Sequence, residues 1–237
     1  MKIIFLIAGR GTRLKSVTKN THKSLIKINN VPIIRRLVDQ FQKLNVESKD
    51  ITFITGYKSY QIKKEFGKKY NYFFYPNYSI TNNLHTLIYA KKIIKQSDTV
   101  ICFSDIFTTK KVIGKILDKK LKKIFILADL SSVRNGTMKV KSNNNNLEHI
   151  GKLSRKNSNG NFIGIAKIPK SKINIFKKFL IKSKNKSKKY YYTEILNDLI
   201  SNREKISIKN IAPNSWTEID NEIDLRNAIR NKKIIND

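Results

Sequence analysis

Residues 3–8, Ile-Ile-Phe-Leu-Ile-Ala, are an unbroken apolar run cut off by Gly9-Arg10-Gly11. A short run without polar alternation, stopped by glycines, is the pattern of a strand buried on both faces of a sheet. The pattern returns at 51–55 before Gly56, at 72–75 before Pro76, and at 100–103 with Asp105 just past its end. Between these runs apolar residues repeat at helical spacing. Ile33, Ile34, Leu37, Val38, Phe41 and Leu44 predict a helix over 31–44, with Pro32 near its start where proline is tolerated. Ile62 and Phe66 predict one over 57–66, and Leu84, Leu87, Ile88 and Ile94 one over 84–94. Strands alternating with helices imply an α/β fold whose mostly parallel sheet is covered on both faces, with ligands beyond the carboxyl ends of its strands.

The second half is less regular. Strands are expected at 124–128, 162–168, 206–211 and 216–219, and helices at 173–181, 192–200 and 222–231. The asparagine run 143–146 marks a hairpin or exposed turn within 138–151. No repeat and no linker interrupts the pattern, so one domain over 1–237 is expected.

Composition narrows the function classes. Cys102 is the only cysteine, so there is no disulfide framework and no cysteine zinc site. Its apolar neighbours Ile101 and Phe103 predict an inert core thiol. The run 3–8 is too short for a signal segment or a membrane span, and a cytoplasmic protein without membrane insertion is expected. The formal charge is +32, which raises a basic nucleic-acid-binding protein as a competing reading. The lysines are spread through every segment, and the dense runs 115–123 and 177–189 have the character of solvated faces. No helix-turn-helix, zinc finger or aromatic platform accompanies them, so a nucleic-acid partner is not expected.

The chemistry begins at Gly9-Arg10-Gly11-Thr12-Arg13-Leu14 and Lys23. A glycine-rich turn after a buried strand lets backbone N–H groups approach phosphates. Arg13 adds a planar cation that grips phosphate oxygens in two places, and Lys23 a second positive charge. The spacing is neither the dinucleotide fingerprint nor a Walker loop. Asp105, past a buried strand, is placed to hold a divalent ion or to cap a helix. Near the C-terminus Trp216-Thr217-Glu218-Ile219-Asp220-Asn221 precedes Asp224 and Leu225. Glu218 and Asp220 share one face of a short strand.

Gly9-x-Gly11-Thr12-Arg13-Leu14, Lys23 and the segment 25–34 resemble the opening of the nucleotidyltransferases that act on sugar phosphates and phosphocholine. That family usually has proline before the lysine, where this chain has His22. The segment Glu218-Ile219-Asp220 followed by Asp224-Leu225 resembles the C-terminal segment of the phosphocholine cytidylyltransferases. The resemblance implies a Rossmann-like three-layer α/β/α fold with a small acceptor-site subregion. It implies Mg²⁺ on Asp105 and Asp220, Arg13 and Lys23 as the catalytic cations, and Glu218 in support. It implies a nucleotide site of Ala8, Gly9, Gly11, Thr12, Arg13, Lys23, Gly56, Asn83 and Ser104. Asn82 caps the following helix or belongs to the same site, and Asp224 caps the last one. For the acceptor the resemblance points to Tyr192 and Glu194, with Gly164 permitting close approach and Trp216 beside them. Aromatic faces next to a carboxylate attract quaternary ammonium groups.

The expected reaction is in-line attack of an acceptor phosphate or phosphonate on the α-phosphorus of a nucleoside triphosphate, CTP favoured, with pyrophosphate leaving. A phosphate nucleophile is already anionic, which suits a chain with only three histidines. A sugar-1-phosphate nucleotidyltransferase is the nearest alternative. A monomer or homodimer is expected, and the short C-terminus suits the small-acceptor enzymes.

Overall fold

A computed structural model describes residues 1–118 and 121–235. The chain runs β1 (Lys2–Ile7), α1 (Lys15–Thr18), β2 (Lys27–Ile28), β3 (Val31–Pro32), α2 (Ile33–Lys43), β4 (Ile51–Thr55), α3 (Ser59–Phe66), β5 (Asn71–Phe74), α4 (Asn83–Tyr89), β6 (Thr99–Phe103), β7 (Ile106–Thr108) and α5 (Lys110–Ile116). It continues through β8 (Phe125–Asp129), β9 (Lys139–Asn143), β10 (Asn146–Gly151), β11 (Gly160–Ile168), α6 (Ile173–Lys182), α7 (Thr193–Ser201), β12 (Ser207–Asn210), β13 (Trp216–Glu218), α8 (Glu222–Arg230) and α9 (Lys232–Ile235). Lys119 and Lys120, inside the lysine run 115–123, lie outside the described residues. No helix among the described residues is long and apolar enough to cross a membrane.

Nine of the strands form one sheet in the order β5-β4-β1-β6-β11-β8-β12-β10-β9, and β2 with β3 and β7 with β13 form two separate pairs. β5, β4, β1 and β6 are parallel, as are β8 and β12. β11 lies antiparallel between β6 and β8, and β9 and β10 form the expected hairpin. Its turn residues Asn144 and Asn145 have φ of 46° and 59°, a left-handed pair that asparagine tolerates.

Side-chain alternation along β1 divides the core into two. Ile3, Phe5 and Ile7 pack with Leu37, Phe41, Ile62 and Ile113 of α2, α3 and α5. Ile4, Leu6 and Ala8 pack on the other face with Leu87, Phe176 and Leu196 of α4, α6 and α7. The result is the three-layer α/β/α fold read from the sequence. The fully buried Phe5 stacks on Phe53 at 5.5 Å. Burial of a side chain this size contributes roughly 1.5–3 kcal/mol. Helix α2 starts two residues later than its apolar repeat suggests. Val31 and Pro32 pair instead with Lys27 and Ile28, across a turn where Asn29 and Asn30 both have positive φ.

Two short strands outside the main sheet matter most for the site. β7 leaves the end of β6 and pairs antiparallel with β13, aligning Ile106 with Glu218 and Thr108 with Trp216. Helix α8 then opens with a capping box: Asn221 accepts from the Asp224 N–H, and Asp224 accepts from the Asn221 N–H. The sequence reading put Asp224 at the start of this helix; the N-cap itself is Asn221, and Asp224 is its capping-box partner in the first turn.

Candidate functional site

The β7–β13 register brings two distant carboxylates together. The Ile219 N–H donates to the Asp105 carbonyl at 3.0 Å, so Asp105 before β7 faces Asp220 after β13. Between them sits Lys23. Its Nζ donates to Asp105 Oδ2 at 2.7 Å and to Asp220 Oδ1 at 2.5 Å. Arg13 Nη1 lies 2.7 Å from Asp220 Oδ2. The four charged residues singled out from sequence therefore form one cluster. The Lys23 side chain is only 11% exposed. Its burial works to lower its pKa, yet Asp105 and Asp220 outweigh that and hold the ammonium above the ordinary lysine value. Asp105 is not a helix cap.

The N-terminal turn fixes Lys23 sterically. Gly11 has φ +65°, and a Cβ there would lie 2.7 Å from the Lys23 Cβ, so only glycine lets the loop close on the lysine. His22 holds the other side. Its Nδ1 accepts from the Ser24 N–H at 3.2 Å, and its Nε2 donates to the Ile7 carbonyl at 3.1 Å. That pair of partners assigns the proton to Nε2. Burial, the largest cause, with help from the Lys23 and Lys58 charges, lowers the His22 pKa to about 4 against the raising effect of the Ile7 carbonyl. The imidazole is thus neutral. Its backbone φ of −63° is one proline adopts, so the departure at His22 keeps the backbone form. Ser24 Oγ donates to Ser104 Oγ at 2.8 Å and ties this turn to the end of β6.

A cavity of about 450 Å³ opens over the cluster. Ala8, Gly9, Gly11 and Thr12 line it from the loop, and Asn83 and Ser104 from the sheet ends. All six belong to the set that the resemblance assigns to a nucleotide. Asn83 Oδ1 also accepts from the Tyr192 N–H at 2.8 Å. Asn82 makes no side-chain cap; its Nδ2 donates to the Lys189 carbonyl at 2.5 Å while the residue lines the cavity.

The acceptor residues read from sequence are elsewhere. Tyr192 is fully buried against Phe103 at 5.6 Å between ring centroids, because it stands just before α7 with helical backbone angles and packs in the same core cluster as Ile195, Leu196 and Leu199. Its neighbour Tyr191 lines the cavity instead. Glu194, in the first turn of α7, does not line it. Gly164, with φ +85°, makes room for Phe103 and Ile106, which a Cβ would meet at 2.7 and 2.9 Å; its close approach is to the core. Trp216 is buried, its Nε1 donating to Asp129 Oδ2 at 2.9 Å and its ring under Arg134 at 4.6 Å. Gly56 also stands behind the wall: a Cβ there would strike the Tyr78 ring and the Ala8 carbonyl, and it is Tyr78 that faces the cavity. The helical phase of 192, 195, 196 and 199 was the available signal that Tyr192 points inward.

Asp105, Glu218 and Asp220 each offer a carboxylate oxygen, and these oxygens lie within 4.8 Å of one another. Asp105 Oδ1 is buried with no hydrogen-bond partner. Hard oxygen donors, one of them without a hydrogen-bond partner, fit a divalent cation. Burial, and then the neighbouring Asp105 and Asp220, push the Glu218 carboxyl well above the usual carboxylate range, against Lys23 and Arg13.

The chain is similar to known proteins. It is 33% identical over 100 residues to the choline-phosphate cytidylyltransferase of Streptococcus pneumoniae, covering 41% of this chain and 42% of that protein. It is 27% identical over 139 residues to the CTP:phosphoglutamine cytidylyltransferase of Campylobacter jejuni, covering 55% and 53%. These matches span about half of each relative. Among solved structures, the CTP:phosphocholine cytidylyltransferase of Streptococcus pneumoniae superposes with a TM-score of 0.78 at 20% identity over 97% of both chains. The inositol-1-phosphate CTP transferase of T. maritima gives 0.79 at 18% identity, over 98% of this chain and 95% of that one; at these identities both show the fold. The sequence profile described as Nucleotidyl transferase matches residues 2–150. With more than half of its length matched, the chain belongs to the nucleotidyl transferase family.

Proposed function

We propose that this chain is a Mg²⁺-dependent cytidylyltransferase. It joins CMP from CTP to phosphocholine or a similar small amino-alcohol phosphate or phosphonate and releases pyrophosphate. The observation that carries the reading is the convergence of Arg13, Lys23, Asp105 and Asp220 beneath the glycine loop, in one cavity.

The loop N–H groups and Arg13 bind the triphosphate. Lys23 moves onto its oxygens as charge builds there. An acceptor oxygen, already anionic, forms a bond to the α-phosphorus in line with the bond to the β-phosphate, which breaks. No protein group has to remove a proton. Asp105 and Asp220 would hold Mg²⁺, which when bound supplies positive charge to the phosphates. Tyr191 and Tyr78 offer aromatic faces to an acceptor cation. The relatives named for CTP and phosphocholine or phosphoglutamine, and one named 2-aminoethylphosphonate cytidylyltransferase, support this choice. Use of a cellular triphosphate supports a cytoplasmic location.

A second reading is a sugar-1-phosphate nucleotidyltransferase. It is favoured by the polar groups of Ser79, Thr81 and Asn82 on the cavity wall, which suit hydroxyl-rich acceptors. Pyrophosphate release decides, measured with CTP, UTP, dTTP and GTP against phosphocholine, 2-aminoethylphosphonate and hexose 1-phosphates. The fastest turnover with CTP and an amino-alcohol phosphate supports the proposal. A hexose 1-phosphate with another triphosphate supports the second reading. No release from any pair refutes both.

A further inference from the structure

Lys23 takes one oxygen from each of the two carboxylates that face each other, Asp105 Oδ2 and Asp220 Oδ1. A divalent ion held by Asp105 and Asp220 would compete for carboxylate oxygens that Lys23 occupies. Two cations a few ångströms apart in a shielded pocket repel strongly, so the ammonium and the ion exclude each other. We propose that Lys23 is an internal competitor for the divalent ion, displaced by high metal alone and far more readily when a triphosphate draws the ammonium away, so that metal loading at low concentration is gated by the nucleotide. The inference rests on the site being one for a nucleoside triphosphate and a metal.

The surroundings hold the Lys23 stem and leave its head beside the cavity. Behind it, Gly11 and the His22 turn fix its backbone and stem. Ahead, its side chain lines the same cavity as Gly9 and Thr12, where phosphates would lie. Arg13 Nη1 lies on the other oxygen of Asp220, so Lys23 is not the only cation on that carboxylate. Asp105 keeps Oδ1 free of any hydrogen bond, a ready acceptor for an incoming ion. A metal arriving alone must displace a paired, shielded ammonium that has no new partner. A metal arriving with a triphosphate brings that partner.

The test uses Mn²⁺ as the probe and the full chain, with free Mn²⁺ read by electron paramagnetic resonance and no nucleotide added. Lys23→Met should bind Mn²⁺ at least about tenfold more tightly than the wild type, since one competing charge is gone. Equal or weaker binding by a folded variant overturns the proposal. A second measurement needs no variant. Saturating Mn²⁺ should raise acetylation of Lys23 by limiting acetic anhydride several-fold relative to the exposed Lys68, read by peptide mass spectrometry. Unchanged labelling while Mn²⁺ is bound overturns it as well. Both readouts are independent of turnover. If they hold and no nucleotide and acceptor pair releases pyrophosphate, the competition stands and the transferase reading falls.

Discussion

Asp220 accepts a hydrogen bond from Lys23 across 197 residues of chain, at 2.5 Å. No local element could bring these two together; the β7–β13 pairing does. Replacing either Asp105 or Asp220 with Asn keeps the shape and removes the charge. Turnover should fall by at least about a hundredfold, the scale of losing a group that stabilises charge in the transition state. The fold should survive, since Lys23 retains its other carboxylate. Pyrophosphate release at saturating substrates, set beside the melting temperature, checks this. A D220N enzyme with full activity would refute the metal assignment.

The first hundred residues were legible because each apolar run had one physical meaning. The strand at 51–55 falls where Ile-Thr-Phe-Ile-Thr and Gly56 placed it. The glycine loop stood out as a turn at the end of a buried strand, but the structure requires glycine only at Gly11, where φ is +65° and a Cβ would meet the Lys23 stem; a Cβ on Gly9 would meet nothing within 4 Å. The acceptor side was not legible. Tyr190, Tyr191 and Tyr192 look alike in composition, and only the phase of α7 separates the buried ring from the cavity ring. Trp216 looked like a ligand contact because its partner, Asp129, is 87 residues away. β7 has three residues, too few for periodicity to reveal, yet it aligns the two carboxylates.

Tyr192 carries a stability prediction. Its hydroxyl is buried with no hydrogen-bond partner, and burial, followed by the nearby Cys102, pushes the phenol well above its ordinary pKa. Removing a lone buried polar group relieves a desolvation cost of about 1–3 kcal/mol. Tyr192→Phe should therefore be more stable than the wild type in urea denaturation, by roughly 1 kcal/mol after some lost packing. Its KM for the acceptor should not change. A large rise in KM would restore Tyr192 to the acceptor site.

Tyr191 should behave in the opposite way. It lines the cavity, and the Lys152 ammonium 5.2 Å from its ring centroid shows that the ring already receives a cation. Tyr191→Ala should raise the KM for phosphocholine about three- to tenfold, the range of a partly shielded cation–π contact, with little change in the KM for CTP. Tyr190 is exposed and outside the cavity lining, and Tyr190→Ala serves as the control with both constants unchanged. Initial-rate kinetics decide. Equal effects of the two substitutions would remove the aromatic contact from the acceptor site.

His22 makes stability depend on pH with a definite sign. The folded chain holds it neutral, with a pKa of about 4 in place of 6.5. Between those values the unfolded chain binds a proton that the folded chain refuses. Stability from this group is therefore complete above pH 6.5, declines as the pH falls, and is fully lost below about pH 4. The whole span is worth roughly 3 kcal/mol, and about 2 kcal/mol of it should be gone at pH 5. His22→Gln removes the titration while offering an amide N–H to the Ile7 carbonyl. Urea unfolding at pH 7.5 and pH 5 should show the wild type losing about 2 kcal/mol more than the variant, because His85 and His149 are common to both and cancel. Matching losses in the two proteins would mean that the imbalance lies elsewhere and that the imidazole accepts a proton in the folded turn, which the Ser24 N–H donating to Nδ1 and Nε2 donating to the Ile7 carbonyl argue against.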